Sequence, residues 1–194
     1  MTRARGLGQT DFVDYPNLTR AQAQQLARVE TTTDGVVRYA PCQVGLASGE
    51  VLDRVYVVEA TSFLRAWGVD PSEDNAKRSV AIRDVVSIES SPSRLPANLA
   101  NKVYAAGESG MGYTMFVVVL RDGSELPFVV GNAVDFPQWP SHIDPADAVN
   151  VLPHGGRDVF QHRLPGPTER TADYAWCLYR LPTPVRRTWL KRSR

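Results

Sequence analysis

Residues 114–130 read TMFVVVLRDGSELPFVV, and this stretch decides the fold. Its first half is an apolar run without polar alternation, which predicts a strand buried on both faces. The Asp122-Gly123 pair then predicts a two-residue type I′ turn, in which both central residues have positive φ. The second half returns as the partner strand. Pro127 has no N–H to donate, so it predicts an edge position or a local bulge for that partner.

Further strand patterns lie on both sides of this hairpin. Apolar and β-branched residues predict strands at residues 36–46, 51–60, 62–67, 80–89 and 174–181. The segment 80–89 is either one strand or two short strands broken at Arg83-Asp84. The number and spacing of these segments indicate a β-rich chain.

Helix signals are fewer. Thr19 and Gln22 have the spacing of a capping box, which predicts a helix start. Gly107 is a typical helix stop and closes a helix predicted over residues 96–106. Asp144 precedes a proline at a first helical position, and this predicts a third, short helix.

The predicted fold class is α+β: a mainly antiparallel β-sheet or small barrel with two to three short helices. Eight of the 14 prolines follow Asp135, which predicts an irregular proline-rich C-terminal wrap. The predicted organisation is an N-terminal arm (residues 1–15), a single β-rich domain (16–184) and a basic C-terminal tail (185–194). A length of 194 residues with 43% hydrophobic and 22% charged residues suits one such domain.

The composition also restricts location and partners. The net charge of +1 gives no global attraction to nucleic acid or membrane. The amino terminus lacks the apolar core of a secretory signal, and no apolar run is long enough to span a bilayer. Cys42 and Cys177 form no paired motif. A cytoplasmic location, no membrane span and no cofactor are therefore expected.

The segment 107–112, Gly-Glu-Ser-Gly-Met-Gly, is the most distinctive candidate site. It does not fit a nucleophile elbow, a phosphate loop or a dinucleotide fingerprint, because the glycine spacing differs and no lysine follows. It is either an anion-binding nest of backbone N–H groups or a simple helix-to-strand connection. The candidate ligand-binding residues on this loop and beside the hairpin are Glu108, Ser109, Gly110, Tyr113, Asn132 and Asp135.

Histidines and the C-terminal tail offer two further possibilities. His142, His154 and His162 have no metal-ligand spacing, so no metal site is predicted; His154 is expected to meet helix-end carbonyls. The C-terminal tail either binds RNA, DNA or an anionic lipid face or is simply solvated. Its candidate nucleic-acid contacts are Arg186, Arg187, Lys191 and Arg192.

Two longer segments carry resemblances to known proteins. The strand and turn order of residues 44–90 resembles a small Sm-like or SH3-like barrel, but the RNA-contacting motifs of the Sm family are not recognisable. Residues 103–135, with AGESGMGY at 106–113 and GNAVDF at 131–136, are similar to a group of bacterial proteins without known activity. That similarity therefore implies no ligand and no site residue.

The function expected from the sequence is a non-catalytic binding or assembly module, with another protein or a second copy of the chain as partner. No nucleophile, base and stabiliser are recognisable together, so an enzyme is the less favoured alternative. Such an enzyme would place Glu108, Ser109 and Asp135 around a pocket at the glycine loop. The second alternative is nucleic-acid binding through the basic tail.

Overall fold

The structure, a computed structural model, describes residues 15–74, 77–131, 133–160 and 174–181. Within them, nine strands are formed: β1 (Thr32–Asp34), β2 (Val37–Leu46), β3 (Val51–Glu59), β4 (Arg78–Ser79), β5 (Val85–Ser90), β6 (Thr114–Leu120), β7 (Glu125–Val130), β8 (Ala148–Pro153) and β9 (Ala175–Tyr179). The α-helices there are α1 (Arg20–Leu26), α2 (Ala60–Trp67), α3 (Ala97–Ala106) and α4 (Arg157–Phe160). Two 3₁₀ turns occupy Ile82–Asp84 and Pro145–Asp147.

The strands form two sheets, and the predicted α+β class with mostly antiparallel pairing and short helices is confirmed. The larger sheet has the order β1-β2-β3-β9-β4, with β5 also paired to β2. In this sheet β9 runs parallel to both β3 and β4, whereas the other strand pairs are antiparallel. The described strands form no closed barrel, so the open-sheet form of the prediction applies.

The smaller sheet has the order β7-β6-β8. The predicted hairpin is confirmed, because β6 and β7 pair in continuous register from Thr114↔Val130 to Val119↔Glu125. As expected, β6 is central and almost entirely buried, and β7 with Pro127 is an edge strand. The loops before β6 and after β7 therefore lie at the same end of the hairpin.

The predicted type I′ turn at Asp122-Gly123 is wrong, because only Gly123 of the pair has positive φ, at 84°. The Gly123 N–H donates to the Leu120 carbonyl (2.9 Å), and the Leu120 N–H donates to the Ser124 carbonyl (2.9 Å). This pattern is a type I turn followed by a left-handed glycine, which makes a three-residue loop. The Asp122 carboxylate stabilises the longer loop by accepting the Ser124 N–H at 2.9 Å.

The strand predicted at residues 62–67 is also wrong, since these residues belong to α2. The Glu59 carboxylate caps this helix by accepting the Thr61 and Ser62 N–H groups (2.9 and 2.7 Å). Gly68 ends it with a φ of 70°. Buried Phe63 lies on an apolar face that repeats at helical spacing, which a short window of apolar residues does not distinguish from a strand.

Several other local predictions are confirmed. Thr19 and Gln22 form the capping box of α1, and Asp144 accepts the Ala146 N–H at the 3₁₀ turn that it caps. The helix predicted over 96–106 is α3. In the segment 80–89 a strand, β5, begins only at Val85, because Ile82–Asp84 forms a 3₁₀ turn, so neither the single full strand nor the two short strands are formed there. No helix in the described part of the chain combines the length and apolar content that a bilayer crossing needs.

Three apolar clusters form the core of the described residues. One lies between α1 and one face of the larger sheet, and an aromatic cluster that includes Tyr39, Tyr56 and Trp176 covers the other face with α2. The third lies between α3 and the smaller sheet. Asp135, in the segment after β7, lies in the interior beside the aromatic cluster.

Candidate functional site

The glycine loop predicted from the sequence is an exposed connection between α3 and β6. Glu108 is exposed, and its carboxylate accepts the Gly112 N–H at 3.2 Å. Ser109 is half-buried, and its Oγ accepts the Met115 N–H at 2.9 Å. A side chain at Gly110 would overlap the half-buried Tyr113 ring. These contacts close the loop onto the start of β6.

Ser109 and His154 form a side-chain pair at this loop, with Oγ and Nδ1 2.8 Å apart. The other ring nitrogen, Nε2, lies 3.2 Å from the Ala106 carbonyl, the last residue of α3. A carbonyl only accepts, so Nε2 carries a proton, and in the neutral ring Nδ1 is then an acceptor for the Ser109 hydroxyl. The same hydroxyl also lies 3.3 Å from the Met115 carbonyl, a second acceptor. His154 therefore meets a helix-end carbonyl, as expected.

Chemically, this pair has a nucleophile beside a base, but three N–H groups of the loop are already used in contacts within it. The N–H groups of Ser109 and Gly110 both donate to the Tyr113 carbonyl, at 3.0 and 3.3 Å. The Gly112 N–H is used by Glu108. Acyl transfer requires donors aimed at the developing oxyanion, so the observed arrangement suits loop closure better than catalysis.

Asp135 is fully buried and is the centre of a polar network. Its Oδ2 accepts hydrogen bonds from the Tyr104 hydroxyl (2.8 Å) and the Thr32 hydroxyl (3.0 Å). The Asp135 N–H donates to the Tyr56 oxygen (3.2 Å), and the Val134 N–H donates to the Tyr104 oxygen (3.2 Å). Desolvation is the largest cause that raises the pKa of Asp135, to about 6, against the opposing effect of these hydrogen bonds. The network joins β1 and β3 of the larger sheet to α3.

Arg94 completes the charge balance of this network. Its Nη2 lies 4.0 Å from Asp135 Oδ1, and both of these buried atoms lack a hydrogen-bond partner. The guanidinium also donates to the carbonyls of Glu30 and Leu95. Asp135 therefore has a structural setting in the interior, away from the exposed Glu108 at the loop.

The remaining predicted site residues lie outside the described residues. Asn132 and the tail cations Arg186, Arg187, Lys191 and Arg192 lie outside the described residues. Among the residues that are described, no group of three or more His, Cys, Asp or Glu side chains could hold a metal ion. Among the described residues, Glu108, Ser109, Gly110 and Tyr113 meet at the glycine loop, whereas Asp135 lies in the interior network.

A cavity of about 260 Å³ lies instead at the outer edge of β9, and we call it the β9 cleft. It is bounded by residues 15–16, 71–72 and 79–83 and by Trp176 and Leu178 of β9. Its walls are largely apolar, and Arg83 contributes a cation. Ligand sites commonly have such mostly apolar walls with a few polar groups.

The edge of β9 is interrupted inside this cleft. At one end the Val80 N–H donates to the Trp176 carbonyl (2.8 Å), and at the other the Arg180 N–H donates to the Pro16 carbonyl (3.0 Å). Backbone groups of alternate strand residues point the same way, so those of Leu178 also face this edge. Among the described residues, the Leu178 N–H and carbonyl have no backbone partner there.

The interruption has two local causes. Beyond Val80 the chain enters the 3₁₀ turn Ile82–Asp84 and leaves the edge. On the other side, a continuous parallel ladder would pair the Leu178 carbonyl with the N–H of residue 16, but Pro16 has none. One residue of β9 is therefore left open between two paired ends.

Trp176, which is one of the residues that line the cleft, also carries an unsatisfied donor. The side chain is 4% exposed, and its indole Nε1–H is buried without a hydrogen-bond partner. The ring is held in the aromatic cluster, with its centroid 4.9 Å from that of Tyr56 and 4.8 Å from that of Phe63. A buried unpaired N–H costs about 1–3 kcal/mol, so a rigidly held one indicates a place for an acceptor.

A second cavity, of about 310 Å³, lies between α1 and β5, with Gln25, Arg28 and Glu89 among its walls. None of the described side chains that line it has a buried polar atom without a partner. The β9 cleft is the stronger candidate site for that reason. Sequence reasoning missed it, although Pro16 and the break at residues 82–84 were both visible signals.

No protein-family model, no curated protein and no solved structure matches the chain.

Proposed function

We propose that this protein is a non-catalytic binding module whose ligand enters the β9 cleft. One observation carries the proposal: among the described residues, the Leu178 backbone donor and acceptor have no partner on a strand edge that is paired on both sides of them. Leu178 as a whole residue is only 3% exposed. Backbone groups that are buried without partners are rare, which supports a ligand or ordered water as their partner.

The chemistry of the cleft supports binding over catalysis. The described residues that line it include no Asp, Glu, His or Cys, so they supply no ordinary general base or thiol nucleophile. Arg83 and two serines, Ser72 and Ser79, offer charge and hydrogen bonds to a ligand.

The proposal is tested by screening a library of small organic fragments against the full chain by ¹H–¹⁵N correlation NMR. We expect saturable shift changes at the amides of the cleft, centred on Trp176 and Leu178. The variant Ala81→Trp fills the cleft from an exposed position on its wall and should weaken those fragments about ten-fold or more.

Ala105→Trp is the matched control, because Ala105 is also exposed but lies on α3 outside the cleft. It should leave fragment binding unchanged. The proposal is wrong if no fragment shifts the cleft amides, or if Ala81→Trp and Ala105→Trp bind the fragments equally well.

A further inference from the structure

We infer that the ligand of the β9 cleft presents a planar amide-type edge, with a hydrogen-bond acceptor next to a donor, to the backbone of Leu178. This inference rests on the proposed function and specifies its ligand chemistry. Primary amides, lactams and nucleobases share such an edge. The geometry of the interrupted strand edge selects it in three steps.

The first step excludes an extended peptide strand. The edge is occupied by Val80 at Trp176 and by Pro16 at Arg180, four residues further along β9. Four strand residues span about 13 Å, and both ends of that length are already filled. The opening therefore accommodates about one residue length, and a peptide cannot run along β9 as an added strand.

The second step gives the pattern of hydrogen bonds. The Leu178 N–H requires an acceptor and the Leu178 carbonyl requires a donor, and both groups point to the same side of β9. A trans amide holds its own N–H and carbonyl on opposite sides, so one trans peptide unit satisfies only one of the two groups. A cis-type amide edge places acceptor and donor on one side and satisfies both.

The two segments beside the opening, at Pro16 and Val80, could otherwise supply the donor that the Leu178 carbonyl lacks. Pro16 has no N–H to offer to the Leu178 carbonyl, and Val80 already uses its own N–H on Trp176. Neither neighbouring segment can supply the missing donor without moving. Among the described residues, the donor for the Leu178 carbonyl and the acceptor for its N–H are therefore left for the ligand to bring.

The test uses small probes on the full chain, with the backbone amide signal of Leu178 as readout. The probe 2-pyridone has the cis donor–acceptor edge, whereas N-methyl-2-pyridone lacks the donor and N-methylacetamide is a trans amide. We expect 2-pyridone to shift the Leu178 amide and to bind about ten-fold tighter than either control. Benzamide and adenine, tested in parallel, distinguish a primary amide from a nucleobase as the natural source of the edge.

Leu178→Pro removes the outward N–H together with the buried leucine side chain and should lose the preference for 2-pyridone. Leu178→Ala also removes that side chain but keeps the N–H, so it should retain the preference. If Leu178→Pro does not fold, the comparison of 2-pyridone with its N-methyl form on the unmodified chain decides alone. Equal binding of the two forms, or a cleft ligand that leaves the Leu178 amide unshifted, overturns this inference. If fragments still bind the cleft and Ala81→Trp still blocks them, the proposed function survives; if nothing binds there, both fail.

Discussion

Replacing Tyr104 with phenylalanine removes a single oxygen from the buried network around Asp135. That oxygen donates to Asp135 Oδ2 at 2.8 Å and accepts the Val134 N–H at 3.2 Å. A hydrogen bond to a charged group contributes about 1.5–3 kcal/mol, and a buried N–H left without a partner costs about 1–3 kcal/mol. Because the effects of neighbouring groups are not additive, we expect Tyr104→Phe to lower the free energy of unfolding by about 2–4 kcal/mol at pH 8.

The effect of Tyr104→Phe should depend on pH. Burial raises the pKa of Asp135 to about 6, so the folded protein carries a neutral Asp135 at pH 5 and a charged one at pH 8. A neutral acceptor forms the weaker hydrogen bond, about 0.5–1.5 kcal/mol. The loss of stability at pH 5 should therefore be smaller than at pH 8 by about 1 kcal/mol.

Urea unfolding of both proteins at the two pH values measures this difference. Tyr113→Phe is the matched control, since it makes the same chemical change at the half-buried ring over Gly110. We expect it to change stability by less than about 0.5 kcal/mol at either pH. A Tyr104→Phe effect that is equal at pH 5 and pH 8, or no larger than that of Tyr113→Phe, would refute the role given to this hydroxyl.

Two further predictions concern Asp135 and the glycines of the hairpin. Because the folded pKa of Asp135 is above its ordinary value of 3.8, the folded state holds the proton more tightly than the unfolded state. Its contribution to stability is thus fully present below about pH 4 and is lost as pH rises to about 6, by up to about 3 kcal/mol. Urea unfolding measures this as the free energy of unfolding of the wild type minus that of Asp135→Asn, which should fall over this pH range. A difference that rises with pH would contradict the prediction. Gly123→Ala should lower the free energy of unfolding, measured by thermal unfolding, by about 1 kcal/mol, because Gly123 has a φ of 84°. Gly131→Ala should be neutral or slightly stabilising, because Gly131 has open space around it and no positive φ. Equal effects of the two changes would contradict the left-handed loop.

Much of the local structure was predictable because its signals lie within a few residues of one another. The β6–β7 hairpin followed from the apolar run and Pro127, and the start of α1 followed from Thr19 and Gln22. The errors were local ambiguities of the same kind. Asp122-Gly123 fits either of two loop lengths, and residues 62–67 have apolar residues that suit a strand or a helix.

The candidate sites were much less predictable. Asp135 was selected from the sequence, but its partners Tyr104 and Thr32 are 31 and 103 positions away. Nothing in the spacing of these residues indicates that they meet. The enzyme alternative required Asp135 and Glu108 around one pocket, whereas burial puts Asp135 in the interior and leaves Glu108 in solvent.

Short-range signals were thus sufficient for the class of fold, the central β6 strand and most helix ends, because capping, turn geometry and apolar periodicity act over a few residues. Long-range packing alone established that β9 lies between β3 and β4, and that Pro16 and Val80 approach the same edge of it. In the described part of the chain, the backbone of Leu178 is open only because these distant segments meet. A missing hydrogen bond is a property of which strands become neighbours, and that choice is made by burial of the whole core rather than by any single segment.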